Sequence, residues 1–135
     1  MSRTARIQER GFETRLKELG LTRVTWCILL AVETEALRFP SAIAEFVGVD
    51  RTATSRALRK MSREGLIQRN DEESDGRRTA VVVTVHGRDV LECATHAARE
   101  NAAHFEAKLS ATERETLRKL IHKLQSGDGT PLAQL

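Results

Sequence analysis

The sequence predicts a mainly α-helical fold carrying one small β-hairpin wing. Three observations lead there. Apolar residues recur at three- and four-residue spacing along most of the 135-residue chain. That period gives way to strand-like, β-branched runs between Leu66 and Val85. Glycines 20, 48 and 65 fall where helical patterns stop.

The elements follow in order. Residues 3–19 read as a helix with Ile7, Phe12, Leu16 and Leu19 on one side, closed by Gly20. Thr22 is an N-cap for a second helix running to about Leu37, with Val24, Cys27, Ile28, Leu30 and Ala31 around Trp26. Pro40 marks a boundary, and Ser41 is expected to cap a short third helix that buries Ala42, Ile43, Phe46 and Val47. Gly48 ends it, and Asp50 caps the next helix, Arg51 to Glu64. LIQRN (66–70) and TAVVVTV (79–85) are strands around a polar tip containing Gly76. A long helix is expected from about His86 to Leu109, facing inward through Val90, Leu91, Ala94, Ala97, Ala98, Asn101 and Phe105. Ser110 to Glu113 forms a capping box for a last helix to about Gln125, with Leu117, Leu120, Ile121 and Leu124 as its apolar set.

Composition narrows the class. With 40% hydrophobic and 30% charged residues, the chain reads as soluble and globular, and its length as one domain or a domain with helical extensions. The longest apolar run, WCILLAV at 26–32, is far too short for a membrane span. The start, MSRTARIQER, has no apolar signal core, which argues against export. Cys27 and Cys93 lie far apart with no CxxC pattern, as expected in a reducing cytoplasm. No GxSxG, P-loop, HExxH or paired-carboxylate signature suggests an enzyme, and no cofactor motif is present.

Net charge is only +3, so its distribution matters more. Residues 51–69 hold six Lys/Arg against the single acid Glu64. Four acids follow at 71–75, then Arg77 and Arg78. At about 100° per residue, Thr54, Ala57, Leu58 and Met61 share one side of helix 51–64. Thr52, Ser55, Arg56, Arg59 and Arg63 share the other. A short helix, a glycine turn, a second helix with a basic outer face and then a hairpin make a winged helix-turn-helix. Such a helix fits the major groove of double-stranded DNA. The candidate contacts are Ser41, Arg51, Thr52, Thr54, Ser55, Arg56, Arg59, Lys60 and Arg63, with Asp75, Arg77 and Arg78 in the wing. Arg77 could reach the adjacent minor groove. The bland alternative is a solvated charged helix.

The run IAEFVGVDRTATSRALRKMSREGLIQR (43–69), followed by DGRRTAVVVTVHG (75–87), resembles the MarR family of bacterial transcription regulators. The matching features are Leu21-Thr22, Ala44, Gly48-Val49, Ser55-Arg56, Gly65-Leu66, the wing pair Asp75 and Arg77, and Thr84 with Gly87. With helices at both ends, the resemblance covers nearly the whole chain. It implies a homodimer built from intertwined terminal helices, here 1–20 and 88–126, flanking a DNA-binding lobe at 21–87; the polar, glycine-containing end at 127–135 reads separately as a flexible tail. Apolar stripes on the terminal helices exceed what one small lobe can cover, which agrees with a dimer. The resemblance further implies a pseudo-palindromic operator, repression, and release by a small phenolic or aromatic acid effector. In the family the wing aspartate orients the arginine; Asp75 and Arg77 match them.

Within that frame, Trp26 is either a core residue or a wall of the effector cleft. Arg15 is a candidate partner for an effector carboxylate. Cys27 and Cys93 are expected to be buried small apolar residues. His96, Glu100 and His104 lie at i, i+4 and i+8 with Cys93 near the same stripe, a weak candidate zinc site. The rival functions are therefore a ligand-responsive repressor, a redox or metal sensor on the same scaffold, and a ligand-independent architectural DNA-binder.

Overall fold

The computed structural model describes residues 3–72 and 78–126. Within them six helices and one antiparallel hairpin follow in order: α1 Arg3–Glu18, α2 Arg23–Glu33, α3 Pro40–Val47, α4 Arg51–Arg63, β1 Ile67–Glu72, β2 Arg78–Val83, α5 Val85–Glu106 and α6 Ala111–Gln125. No helix among the described residues is long and apolar enough to cross a membrane.

Four helices start on a side chain that takes over the unpaired N–H groups of the first turn. Thr22 and Thr25 close a reciprocal box at the start of α2, with N···O distances of 2.8 and 3.2 Å. Asp50 Oδ1 accepts from Ala53 N–H at 2.8 Å for α4, and Thr84 Oγ1 from Gly87 N–H at 3.0 Å for α5. Ser110 and Glu113 form the box expected for α6. The third helix departs from expectation. Phe39, not Ser41, is its N-cap, without a side-chain bond, and Pro40 occupies the first turn. Proline lacks the N–H a cap would satisfy and presets φ for the helix, so Ser41 is pushed inside the first turn.

The second helix is shorter than its sequence suggests. It stops at Glu33 because Ala36 takes a left-handed φ of 53° and Leu37 N–H donates back to Ala31 O at 3.0 Å. The left-handed position past a helix end is one that glycine usually fills, and here alanine fills it. Leu37, just beyond it, packs against the core.

The core gathers on α2. Ile28, Leu29 and Ala31 are fully buried, and Leu16 from α1, Ile43 from α3, Leu58 and Met61 from α4, and Ala94 from α5 close over them. Burial of each large apolar side chain contributes about 1.5–3 kcal/mol relative to exposure. The hairpin adds Ile67 and Val81, in a register that pairs Ile67 with Val83 and Arg69 with Val81. Val81 N–H also donates to Arg38 O at 2.8 Å, tying β2 to the connection between α2 and α3.

Thr84 is the root of the hairpin. Its hydroxyl donates to Gly65 O at 2.6 Å while capping α5, and its N–H donates to Leu66 O at 3.1 Å. One residue thus joins the end of α4, the start of β1 and the start of α5. Farther along, α5 packs on α1 at Gly11, where Asn101 Nδ2 donates to Gln8 O at 2.8 Å. This bond explains why a polar residue, Asn101, belongs to the inward stripe of α5. The apolar stripe of α6 stays uncovered within one chain: Leu117, Leu120, Ile121 and Leu124 are 46–79% exposed.

Candidate nucleic-acid interface

The polar face of α4 is displayed because its opposite face is held. Thr54, Leu58 and Met61 are buried at 0–1% exposure, and Asp50 fixes the helix start. Arg51, Thr52, Arg56, Arg59, Lys60 and Arg63 are exposed or nearly so, with Ser55 half-buried. Among the described residues the ion pair on this face is Lys60 with Glu64, at 3.7 Å and largely exposed. Such a surface pair is worth little, so the face stays strongly positive.

Thr54 must be moved out of the candidate contacts. Its side chain is 1% exposed and its hydroxyl donates to Asp50 O at 3.0 Å. It packs and links the helix start rather than facing solvent. Residue 54 sits on the buried side by helical phase, and a hydroxyl alone does not reveal orientation.

Two concavities flank α4. The first, about 480 Å³, brings Ser41, Arg51 and Ser55 together with Phe39, Thr79 and Arg69. The second, about 700 Å³, is lined by Arg56, Arg59, Lys60, Ser62, Arg63 and again Arg69. Arg69 lines both and is not among the sequence candidates; strand parity places it on the face of Ile67, two residues before it. The wing candidates Asp75 and Arg77 lie outside the described residues, as does the tail at 127–135. Arg78 is in β2, and its side chain lies outside what is described.

The other candidates are placed apart. Trp26 packs edge-on against Phe12, with ring centroids 4.8 Å apart, and its buried Nε1 has no hydrogen-bond partner among the described residues. Arg23 lies 5.8 Å over the same Phe12 ring. Arg15 is exposed and bonded to Glu18 at 2.9 Å. Cys27 is half-buried, and burial raises its thiol pKa against a smaller lowering by Arg23. Cys93 is exposed, contrary to expectation, because it lies on the outer side of α5 away from Leu91 and Ala94. His96 Nδ1 lies 3.5 Å from Glu100, while His104 stacks edge-on against Phe105. Among the described residues no three His, Cys, Asp or Glu side chains converge as a metal site would require.

The chain and its fold are similar to those of known proteins. A family model described as MarR family matches residues 19–78. The HTH-type transcriptional regulator YybA of Bacillus subtilis, itself uncharacterized, is 25% identical over 81% of this chain and 73% of its own. The fold superposes on a mutant of MarR from E. coli complexed with operator DNA, with a TM-score of 0.76 at 23% identity, covering 89% of this chain and 86% of that one. It also superposes on a Mycobacterium tuberculosis MarR family protein in complex with p-aminosalicylic acid, with a TM-score of 0.73 at 24% identity, covering 92% and 94%.

Proposed function

We propose that the chain is a DNA-binding transcriptional regulator of the MarR family, whose model matches residues 19–78, and that it acts as a homodimeric repressor released from its operator by a small aromatic or phenolic acid. The observation that carries the DNA-binding part is the basic face of α4, where an acid-poor row of arginines stands clear of a packed core. The uncovered stripe of α6 supports the dimer, since so much contiguous apolar surface calls for a partner. In a two-fold dimer the two copies of α4 enter successive major grooves about 34–36 Å apart. Arg77 of each wing reaches the neighbouring minor groove. The effector acts only if it binds the DNA-incompetent spacing of the two lobes more tightly than the competent one. The p-aminosalicylate complex of the M. tuberculosis relative supports an aromatic acid as effector class. The raised thiol pKa of Cys27 speaks against Cys27 as the thiolate of a redox sensor.

The test is a competition shift assay on the duplex immediately upstream of the coding region, repeated with aromatic acids, peroxide and a zinc chelator. Specific binding that is lost only with aromatic acids is the expected result. Loss with peroxide, reversed by thiol, or loss with chelator assigns the sensor to the rival classes. Binding insensitive to all of them makes the protein architectural. No preference over random DNA overturns the regulator.

A further inference from the structure

Arg69 does not belong with the outward charges of the hairpin. In the antiparallel register it stands opposite Val81, which is fully buried, and two residues from Ile67, which is 1% exposed. Strand parity therefore turns Arg69 toward the side on which α4 packs, not toward the back of the sheet. Yet Arg69 itself is exposed, because the core ends beside it. It lines both concavities along α4, meeting Arg51 and Ser55 in one and Arg59 and Arg63 in the other.

A charge on the inward face of a strand is ordinarily neutralised by an acid. Among the described residues no carboxylate pairs with Arg69, and its neighbours on α4 are cations. Arg56, Arg59, Lys60 and Arg63 follow at three- and four-residue spacing, one stripe beside it. Among the described residues Glu64, paired with Lys60, is the acid on this face, and cations gathered in such excess form a site for a polyanion.

We infer that Arg69 is a DNA-backbone contact, a strand-borne guanidinium that clamps the phosphates flanking the groove occupied by α4. It binds phosphate and does not read bases: it projects from the sheet beside the helix rather than from the helix face that enters the groove. This inference rests on the DNA-binding reading above. It adds a fixed cation, positioned by the pleat, between the recognition helix and the wing.

The test compares full-length wild type, Arg69→Gln and Arg69→Lys. Affinity for the upstream duplex and for a scrambled duplex of equal composition is measured by fluorescence anisotropy over a series of salt concentrations. Arg69→Gln is expected to lower the slope of log affinity against log salt by about 0.9 per protomer engaged, equally on both duplexes. Arg69→Lys is expected to keep the wild-type slope, because a phosphate accepts an ammonium as a point charge. An unchanged slope in Arg69→Gln overturns the inference. So does a change in the ratio between duplexes at constant slope, which would make Arg69 a base reader. A wild type with no preference between the duplexes sinks the regulator reading, while the slope comparison still decides the role of Arg69. A wild type that binds neither duplex overturns both.

Discussion

Gly87 lies directly against the carbonyl oxygen of Leu66: a β-carbon on the glycine would collide with that oxygen and crowd Val83 Cγ1. The obstacle is backbone, so it cannot rotate away. Gly87→Ala is therefore expected to destabilise the fold by about 1–3 kcal/mol, as overpacking does. Thr84→Val tests the same junction from the other side. It keeps the shape but leaves Gly65 O and Gly87 N–H without the hydroxyl, at a cost of about 1–2 kcal/mol. Thr84→Ser should recover most of the loss. Denaturant titration reads all three; wild-type midpoints for the first two would show that the junction does not hold the hairpin to α5.

Ala36 makes the opposite prediction. It holds a positive φ of 53° that glycine adopts without penalty. Ala36→Gly relieves a steric cost of about 1–2 kcal/mol and adds unfolded-state entropy of about 0.4–1 kcal/mol. The net expectation is a stabilisation on the order of 0.5 kcal/mol. A lower thermal midpoint would show that the methyl group has a packing role that outweighs the strain.

Thr54 and Arg59 differ although both lie on α4. Thr54→Val removes the hydroxyl bonded to Asp50 O and is expected to cost stability, by about 0.5–1.5 kcal/mol, with operator preference unchanged. Arg59→Ala, and likewise Arg56→Ala, is expected to leave the melting point nearly fixed and to cost about 1–3 kcal/mol of specific affinity where the arginine reads a base. Equal weakening on all duplexes would assign the arginine to phosphate. A Thr54→Val protein with altered sequence preference would restore Thr54 to the contact face.

Leu120 stands on the uncovered stripe of α6 at 54% exposure. Leu120→Glu is expected to yield monomers in analytical ultracentrifugation and to weaken operator binding, because one protomer offers a single copy of α4. A dimer of wild-type strength would move the interface elsewhere.

Cys27 supplies the pH dependence. Burial raises its thiol pKa above that of the unfolded chain, so the folded state favours the protonated thiol. That preference costs nothing at neutral pH. As pH rises through and beyond the ordinary thiol range, the unfolded chain loses the proton first and stability falls. Cys27→Ala should remove this alkaline component from a series of melts. Iodoacetamide should also modify Cys27 more slowly in the folded than in the unfolded chain; equal rates would contradict the burial.

Much of the architecture was legible in the residues. Three of the helix stops fall at or just before Gly20, Gly48 and Gly65, each at positive φ, where glycine's conformational freedom leaves a plain mark. The opposed faces of α4 were legible because helical phase separates Leu58 and Met61 from Arg56 and Arg63. The end of α2 was hidden because Ala36 performs a glycine's task without a glycine's signature. Ser41 looked like a cap because proline's preference for the first helical turn competes with serine's for the position before it. Arg69 is not legible in the sequence for a different reason. Alternation tells which residues share a face, but the presence of a neighbouring cationic helix beside that face is tertiary information.

The continuity of α5 has a mechanical consequence. Its first turn is fastened to the hairpin root by Thr84, and its later turns are fastened to α1 through Asn101. A helix of 22 residues spans about 33 Å as one rod. A tilt of about 5° along a rod of that length carries one end about 3 Å from where it would otherwise lie, close to the rise of one DNA base pair. In the proposed DNA complex, a tilt of that size would shift the hairpin root by about one base-pair step.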